Sequence, residues 1–260
     1  MFSHLIVRRE GPVEYVSLNR PDVRNAFNEE LIAELTRWAS TIHGDPDVRA
    51  VVLSGAGKSF CAGADISWMA KTVAFSEDEN MRDAAAASRM FGALNTLPVP
   101  LIGRIHGAAL GGGVGLAAVC DIAVAEHETQ FGFTEVKLGI LPAVISPFVL
   151  EKIGRSAARE LFLTGSRFSA RRAQEIGLVH AVVSSAELDA TVHHYLEECL
   201  TGGREAIAAA KALIAQVSDR PFEDAVAMTA AALARRRVSA EGQEGLRAFL
   251  EKRKPGWSRS

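Results

Sequence analysis

The sequence predicts an α/β fold in which the first half alternates strands with crossover helices and the second half is almost wholly helical. Three observations carry this. Up to about residue 125, short runs of β-branched residues alternate with stretches whose apolar positions recur at three and four. From Ile145 onward nearly every segment has helical spacing and strand-like runs almost vanish. The 260 residues are 48% hydrophobic, enough to build a sizeable core and to exclude disorder for the bulk of the chain.

In chain order, Leu5 to Arg9 and Val13 to Leu18 read as two strands around the turn Gly11-Pro12. Leu31, Ile32, Leu35, Trp38 and Ile42 then form one apolar face of a helix, with Asn28 in position to cap it. Ala50 to Leu53 is a buried strand, and Ser54 to Gly63 a loop into a short helix near Asp65 to Ala70. A long helix, Glu77 to Leu97, ends before Pro98. Leu101 to Ile105 is a strand, Gly112 to Val119 a helix and Ile122 to Ala125 another strand. The remainder reads as helices at Ser156 to Thr164, Ala170 to Ile176, Ala186 to Leu200, Arg204 to Val217, Phe222 to Arg237 and Ala240 to Lys254. Arg235, Arg236 and Arg237 fall where cations suit a helix C-terminus, so a solvated face accounts for them.

Composition excludes several classes of function. Twenty-nine Lys and Arg against 31 Asp and Glu give a formal charge of −2, so no basic field draws nucleic acid or anionic lipid. An anionic ligand must be held by local groups. Cys61, Cys120 and Cys199 form no C-x-x-C pair and read as reduced, buried thiols of a cytoplasmic protein. Residues 1–10 carry no apolar signal region, and the longest apolar stretches, broken by glycine or proline, are too short to span a membrane.

Several motifs fail on inspection. Gly55-Ala56-Gly57-Lys58-Ser59 resembles the end of a phosphate-binding loop, but the first glycine of that motif would fall at Val52. The run from Gly111 to Gly115 does not complete G-x-G-x-x-G, because Leu116 stands at its last place. The seven histidines lack metal-ligand spacing, and no G-x-S-x-G presents a serine nucleophile.

Three segments survive together. Phe60 to Ile66 and Ile105 to Gly115 each follow a strand and open a helix with small residues, so backbone N–H groups can approach a ligand. Two such turns side by side can aim one N–H each at a single oxygen, which is an oxyanion hole made of main chain. Phe131 to Val136 sets Glu135 in an apolar stretch, where desolvation raises the pKa of a carboxyl toward useful acid/base range. Singly, tight packing explains the glycines and a surface ion pair explains Glu135. Their coincidence favours a site.

At these residues the sequence resembles the crotonase family, the enoyl-CoA hydratase/isomerase superfamily, from Asn19-Arg20-Pro21-Asp22-Val23-Arg24-Asn25-Ala26-Phe27 to the segment 244–253. The resemblance implies a spiral of ββα units over residues 1–195, and a C-terminal helical trimerisation region over 196–260. It implies a homotrimer or dimer of trimers, and acyl-CoA thioester substrates whose coenzyme A is part of the substrate, with no separate cofactor and no metal. By the same resemblance Ala64 and Gly112 supply the oxyanion N–H groups and Glu135 is catalytic. Arg24, Ala26, Ala62, Gly63, Asp65 and Ile66 fall where relatives hold CoA, and Phe249 and Lys252 lie in the helix that reaches CoA of the same or a neighbouring subunit.

The departure from the family pattern is at Gly115, where two-glutamate hydratases carry their first glutamate. The expectation there is an opening for a water or a substrate group. Leu141 to Leu150 replaces the glycine-rich segment of many straight-chain hydratases, and with Gly113-Val114-Gly115-Leu116 it looks most like bacterial methylglutaconyl-CoA hydratase-type sequences. The leading reading is reversible hydration of an enoyl-CoA, with a branched, methylglutaconyl-like acyl group as one form. The alternatives are a Δ3,Δ2-enoyl-CoA isomerase using one glutamate and a CoA-binding protein without turnover. Trp68, Met69, Phe91 and Phe133 are the candidate walls of the acyl pocket.

Overall fold

The structure, a computed structural model, describes residues 2–218 and 220–258. Its first two strands, β1 (Leu5–Glu10) and β2 (Val13–Leu18), form the antiparallel hairpin expected, turning at Gly11 with φ +55°. Four turns of one unit follow. Each sends a strand into a large sheet, returns a shorter extended piece to a second layer, and closes with a helix.

In the first turn β2 leads to an extended residue, Phe27, and to α1 (Glu29–Gly44). Asn28 caps α1 by accepting from Leu31 N at 2.9 Å, and the stripe Leu31, Leu35, Trp38 and Ile42 is buried. The second turn runs from β3 (Ala50–Gly55) through residues 61–64 to α2 (Ile66–Thr72) and α3 (Glu77–Asn95). A Ser76/Glu79 capping box starts α3. The third comprises β4 (Leu101–Ile105), β5 (Ala108–Leu110) and α4 (Gly112–Val119). The fourth comprises β6 (Ile122–Glu126), β7 (Gln130–Gly132), a 3-10 turn (Glu135–Leu138) and α5 (Ser146–Thr164), which breaks at Gly154 with φ +67°.

Beyond α5 lie β8 (Arg167–Ser169), α6 (Ala170–Glu175), β9 (Ala181–Val183) and α7 (Leu188–Thr201). The large sheet has the order β1-β2-β3-β4-β6-β9, parallel apart from the first pair, and the second layer is β5-β7-β8. Single bridges Cys61↔Ala109 and Phe27↔Ala64 extend that layer back to the first two turns. This spiral of ββα units is the architecture the resemblance implied.

One face of the large sheet packs on α1, α3, α4 and α5 around Leu35, Leu53, Met90 and Leu116. The other face packs on α7 through Val52, Ile102, Leu188 and Leu196. Helix α7 therefore runs through residue 195 and belongs to the sheet's packing. The last three helices, α8 (Arg204–Val217), α9 (Phe222–Val238) and α10 (Ala240–Leu250), stand off the core, and Ala248 is their one buried residue among those described. Polar tethers hold them. Arg49 donates to the carbonyls of Leu200, Gly202 and Trp257, Arg204 to those of Asp45 and Val48, and Lys211 pairs with Asp121 at 2.7 Å.

Four strands, β5, β7, β8 and β9, and the first half of α5 were not expected. Each of those strands has three residues, too few for a period of two to register, and their place is set by pairing with distant segments.

Candidate active site

The first donor is built by an exchange of backbone bonds. Cys61 N donates to Ala108 O at 3.0 Å and Leu110 N to Cys61 O at 3.0 Å, which pins the segment to β5. Gly63 then takes φ +96°, a conformation glycine adopts without strain, and any Cβ there would lie 3.0 Å from Leu110 O. Phe27 N donates to Gly63 O at 2.7 Å and Asp65 N to Phe27 O at 2.8 Å. Those two bonds bracket Ala64, so the pleat turns its own N–H to the other side. Ala64 N has no acceptor among the described residues.

The second donor is the start of α4. Gly111 takes φ +50° and donates to Gly132 O at 2.8 Å, leaving Gly112 N as the first orphan donor of the helix. The glycines here answer to close approach. A Cβ on Gly112 would lie 2.9 Å from the Phe27 ring, and one on Gly113 would overlap the Cys61 carbonyl oxygen. Phe27 thus lies between the two donor segments and touches both.

Glu135 opens the 3-10 turn after β7, and its Oε1 would lie 3.1 Å from a Cβ on Gly111. Its Oε2 is buried without a hydrogen-bond partner. Burial pushes its carboxyl above the ordinary glutamate range. Glu135, Ala64 and Gly112 line one cavity of about 150 Å³. The cavity's walls are Phe27 and Ile32, then Trp68, Ala87, Met90 and Phe91 from α2 and α3, then residues 141–145. A carboxyl that titrates above its usual range and two free N–H groups around an apolar space can polarise a carbonyl and move a proton beside it.

Other expected residues fare differently. The opening expected beside Gly115 is closed: a Cβ there would overlap Ile145 Cγ2 and lie 3.0 Å from Phe91 Cε1, and Gly115 does not line the cavity. Every polar group of Asp65 already has a partner within the protein. Its N–H and C=O bond Phe27 O and Met69 N, one carboxylate oxygen accepts from Ser67 N and Oγ, and the other from Arg20 at 2.7 Å. Arg24 is exposed at φ +53°, and its carbonyl accepts from Ala62 N at 2.9 Å. Ala26 is buried beside Phe27, and Ile66 is exposed at the head of α2. Phe249 (81% exposed) and Lys252 sit at the end of α10, and neither lines the cavity. Of the expected walls, Trp68 and Phe91 are present; Met69 is not a lining residue, and Phe133 is buried against Phe162 and Phe168. Sequence reasoning missed Phe27, Ala87 and Ile145, whose helical or loop settings look like ordinary core.

A larger cavity of about 450 Å³ lies on the α7 side of the sheet, bounded by Arg8, Tyr15, Arg104, Asp189 and His193. Neither free N–H nor Glu135 faces it. Among the described residues no cluster of His, Cys, Asp and Glu could hold a metal ion, and no helix is long and apolar enough to cross a membrane.

Comparison with known proteins bears on the family of the chain. The short-chain-enoyl-CoA hydratase of Clostridium acetobutylicum is 33% identical, over 97% of this chain and 96% of its own. The crotonyl-CoA hydratase of Syntrophomonas wolfei is 32% identical over 97% of each. The crystal structure of an enoyl-CoA hydratase from Shewanella pealeana superposes with a TM-score of 0.96 at 36% identity, covering 99% of this chain and 97% of that one. The profile of the enoyl-CoA hydratase/isomerase family matches residues 8–260, and on that match, those relatives and the spiral fold, the chain belongs to this family, the crotonase superfamily.

Proposed function

We propose that the protein hydrates the α,β double bond of an enoyl-CoA through a thioester enolate. The observation that carries the reading is the convergence of two unpartnered backbone N–H groups, on Ala64 and Gly112, with the raised carboxyl of Glu135 in one apolar cavity. The thioester oxygen lies between the two N–H groups and gains negative charge as water adds to the β-carbon. Glu135 relays the proton between that water and the α-carbon. Losing one such donor lowers the rate by ~10²–10³-fold. The names of the hydratase relatives support hydration as the reaction.

The cavity wall supports an uncharged acyl group. Glu135 is the one ionisable residue lining it among the described residues, so a second carboxylate on the acyl chain, as in a methylglutaconyl thioester, meets no cation there. Crotonyl-CoA is therefore the expected substrate, and 3-methylglutaconyl-CoA the contrasting one. The assay is hydration of both by wild type and Glu135→Gln. Unchanged turnover in the variant, or tight CoA binding with no turnover in wild type, refutes the reading; the second result identifies a binding protein.

One observation favours a second reading. The space beside Gly115 is filled by Ile145 and Phe91, which leaves Glu135 alone to handle protons, as suits a shift of a double bond from the 3- to the 2-position. Conversion of a 3-enoyl-CoA without uptake of ¹⁸O from labelled water identifies the isomerase. We also infer a homo-oligomer, a trimer or dimer of trimers, because α8 to α10 expose Phe222, Leu233, Val238, Phe249 and Leu250 on one helical layer. Sedimentation as a monomer refutes it. The three free thiols, two of them buried, favour a reducing compartment such as the cytoplasm.

A further inference from the structure

The bridge that presents Ala64 consists of only two backbone bonds between residues 26–27 and 63–65, segments that lie outside any regular strand. One side chain spans both. Arg20 donates through Nη1 to Ala26 O and through Nη2 to Asp65 Oδ2 at 2.7 Å. Its side chain is 14% exposed and that of Asp65 is 5% exposed, so the pair is shielded from competing water. The same carboxylate accepts from Ser67 N at 2.8 Å and Oγ at 2.5 Å, which ties the bridge to the start of α2. Those hydrogen bonds, from Ser67 first and then Arg20, hold the Asp65 carboxyl down at about 2, so it stays ionised throughout the working range.

Every bond of this network ends on a residue flanking Ala64 or Phe27, and none ends on Ala64 itself. Phe27 is also the side chain that a Cβ on Gly112 would meet at 2.9 Å. A guanidinium fixed to Ala26 O therefore sets the place of both donor segments at once.

We propose that Arg20, through its ion pair with Asp65, is a positioning residue that holds the Ala64 and Gly112 N–H groups in line with the thioester oxygen, an inference that rests on the oxyanion reading above. Arg20 touches no substrate. It acts through the spacing of the donors, to which transition-state stabilisation is sensitive at the scale of an ångström.

The test compares wild type with Arg20→Met, Arg20→Lys and Asp65→Asn. The readouts are kcat and KM for crotonyl-CoA, and the carbonyl stretch of bound butyryl-CoA carrying ¹³C at the thioester carbon. The stretch reports polarisation by the two N–H groups and needs no turnover. Arg20→Met is expected to lower kcat by about 10- to 100-fold while KM stays within about threefold, and to return the stretch toward its value in solution. Lysine keeps the charge but offers one nitrogen in place of the two that reach Ala26 O and Asp65 Oδ2, so Arg20→Lys falls between. An unchanged stretch and kcat in folded Arg20→Met overturn the proposal alone. A wild-type stretch equal to that in solution overturns the oxyanion reading and the proposal with it. Should Arg20→Met not fold, Arg20→Lys and Asp65→Asn decide by the same readouts.

Discussion

Glu135→Gln should make the protein inactive and more stable at once. The carboxyl has one oxygen buried without a partner, and burial raises its pKa. As pH rises, the unfolded chain therefore releases this proton before the folded one does. In that interval the folded state binds more protons, so stability falls with rising pH; above the folded pKa the cost is complete, and below the unfolded pKa it is absent. A buried polar group left without a partner costs about 1–3 kcal/mol, and the partial exposure of this side chain places the cost toward the low end, about 1 kcal/mol. Glutamine keeps the shape and removes the charge. For a chain of this size the melting temperature at pH 8 should rise by about 2–4 °C, and the two proteins should melt together below roughly pH 4. Turnover should fall by ~10²–10⁴-fold. Calorimetry across pH, beside the hydration assay, reads both. A variant that is inactive and less stable at pH 8, or a stability gain that persists unchanged at pH 4, refutes the view of Glu135 as an uncompensated buried acid.

Other outcomes follow from the same contacts. In wild type the acidic limb of kcat should lie above the ordinary glutamate value of ~4.3, since Glu135 must ionise to accept a proton. A limb at or below that value, in the pH–rate profile, contradicts the burial argument. Gly115→Ala should cost about 1–3 kcal/mol in urea unfolding by pressing on Ile145, and Ile145→Ala should cost less in that background than in wild type; additive losses would show that the two do not touch. Gly113→Ala meets the Cys61 backbone, which cannot give way as a side chain can, so it should be more destabilising than Gly92→Ala, where the added Cβ meets open space. Arg49→Ala removes the bonds to Leu200, Gly202 and Trp257, and should cost about 2 kcal/mol or more, with faster amide exchange confined to α8 to α10.

Much of the molecule was determined by sequence pattern alone. The hairpin, α1 with its Asn28 cap, α4 and the strands at Ala50, Leu101 and Ile122 are long or periodic enough for burial to fix their type locally. Glu135 and the two glycine-bearing turns stood out because a carboxyl in an apolar run and small residues at a strand-to-helix turn are costly unless used. Tertiary structure decided what periodicity cannot carry. The three-residue strands exist only through pairing with partners far along the chain, and the helix Ser146–Thr164 starts ten residues earlier than its spacing suggested, directly behind Ile145, whose side chain fills the space beside Gly115. Asp65 changed from a presumed substrate contact to the anchor of an ion pair, since Arg20 lies 45 positions away and only folding brings them together. Local chemistry thus named the reacting groups, and distant packing set which neighbours hold them and how much room is left.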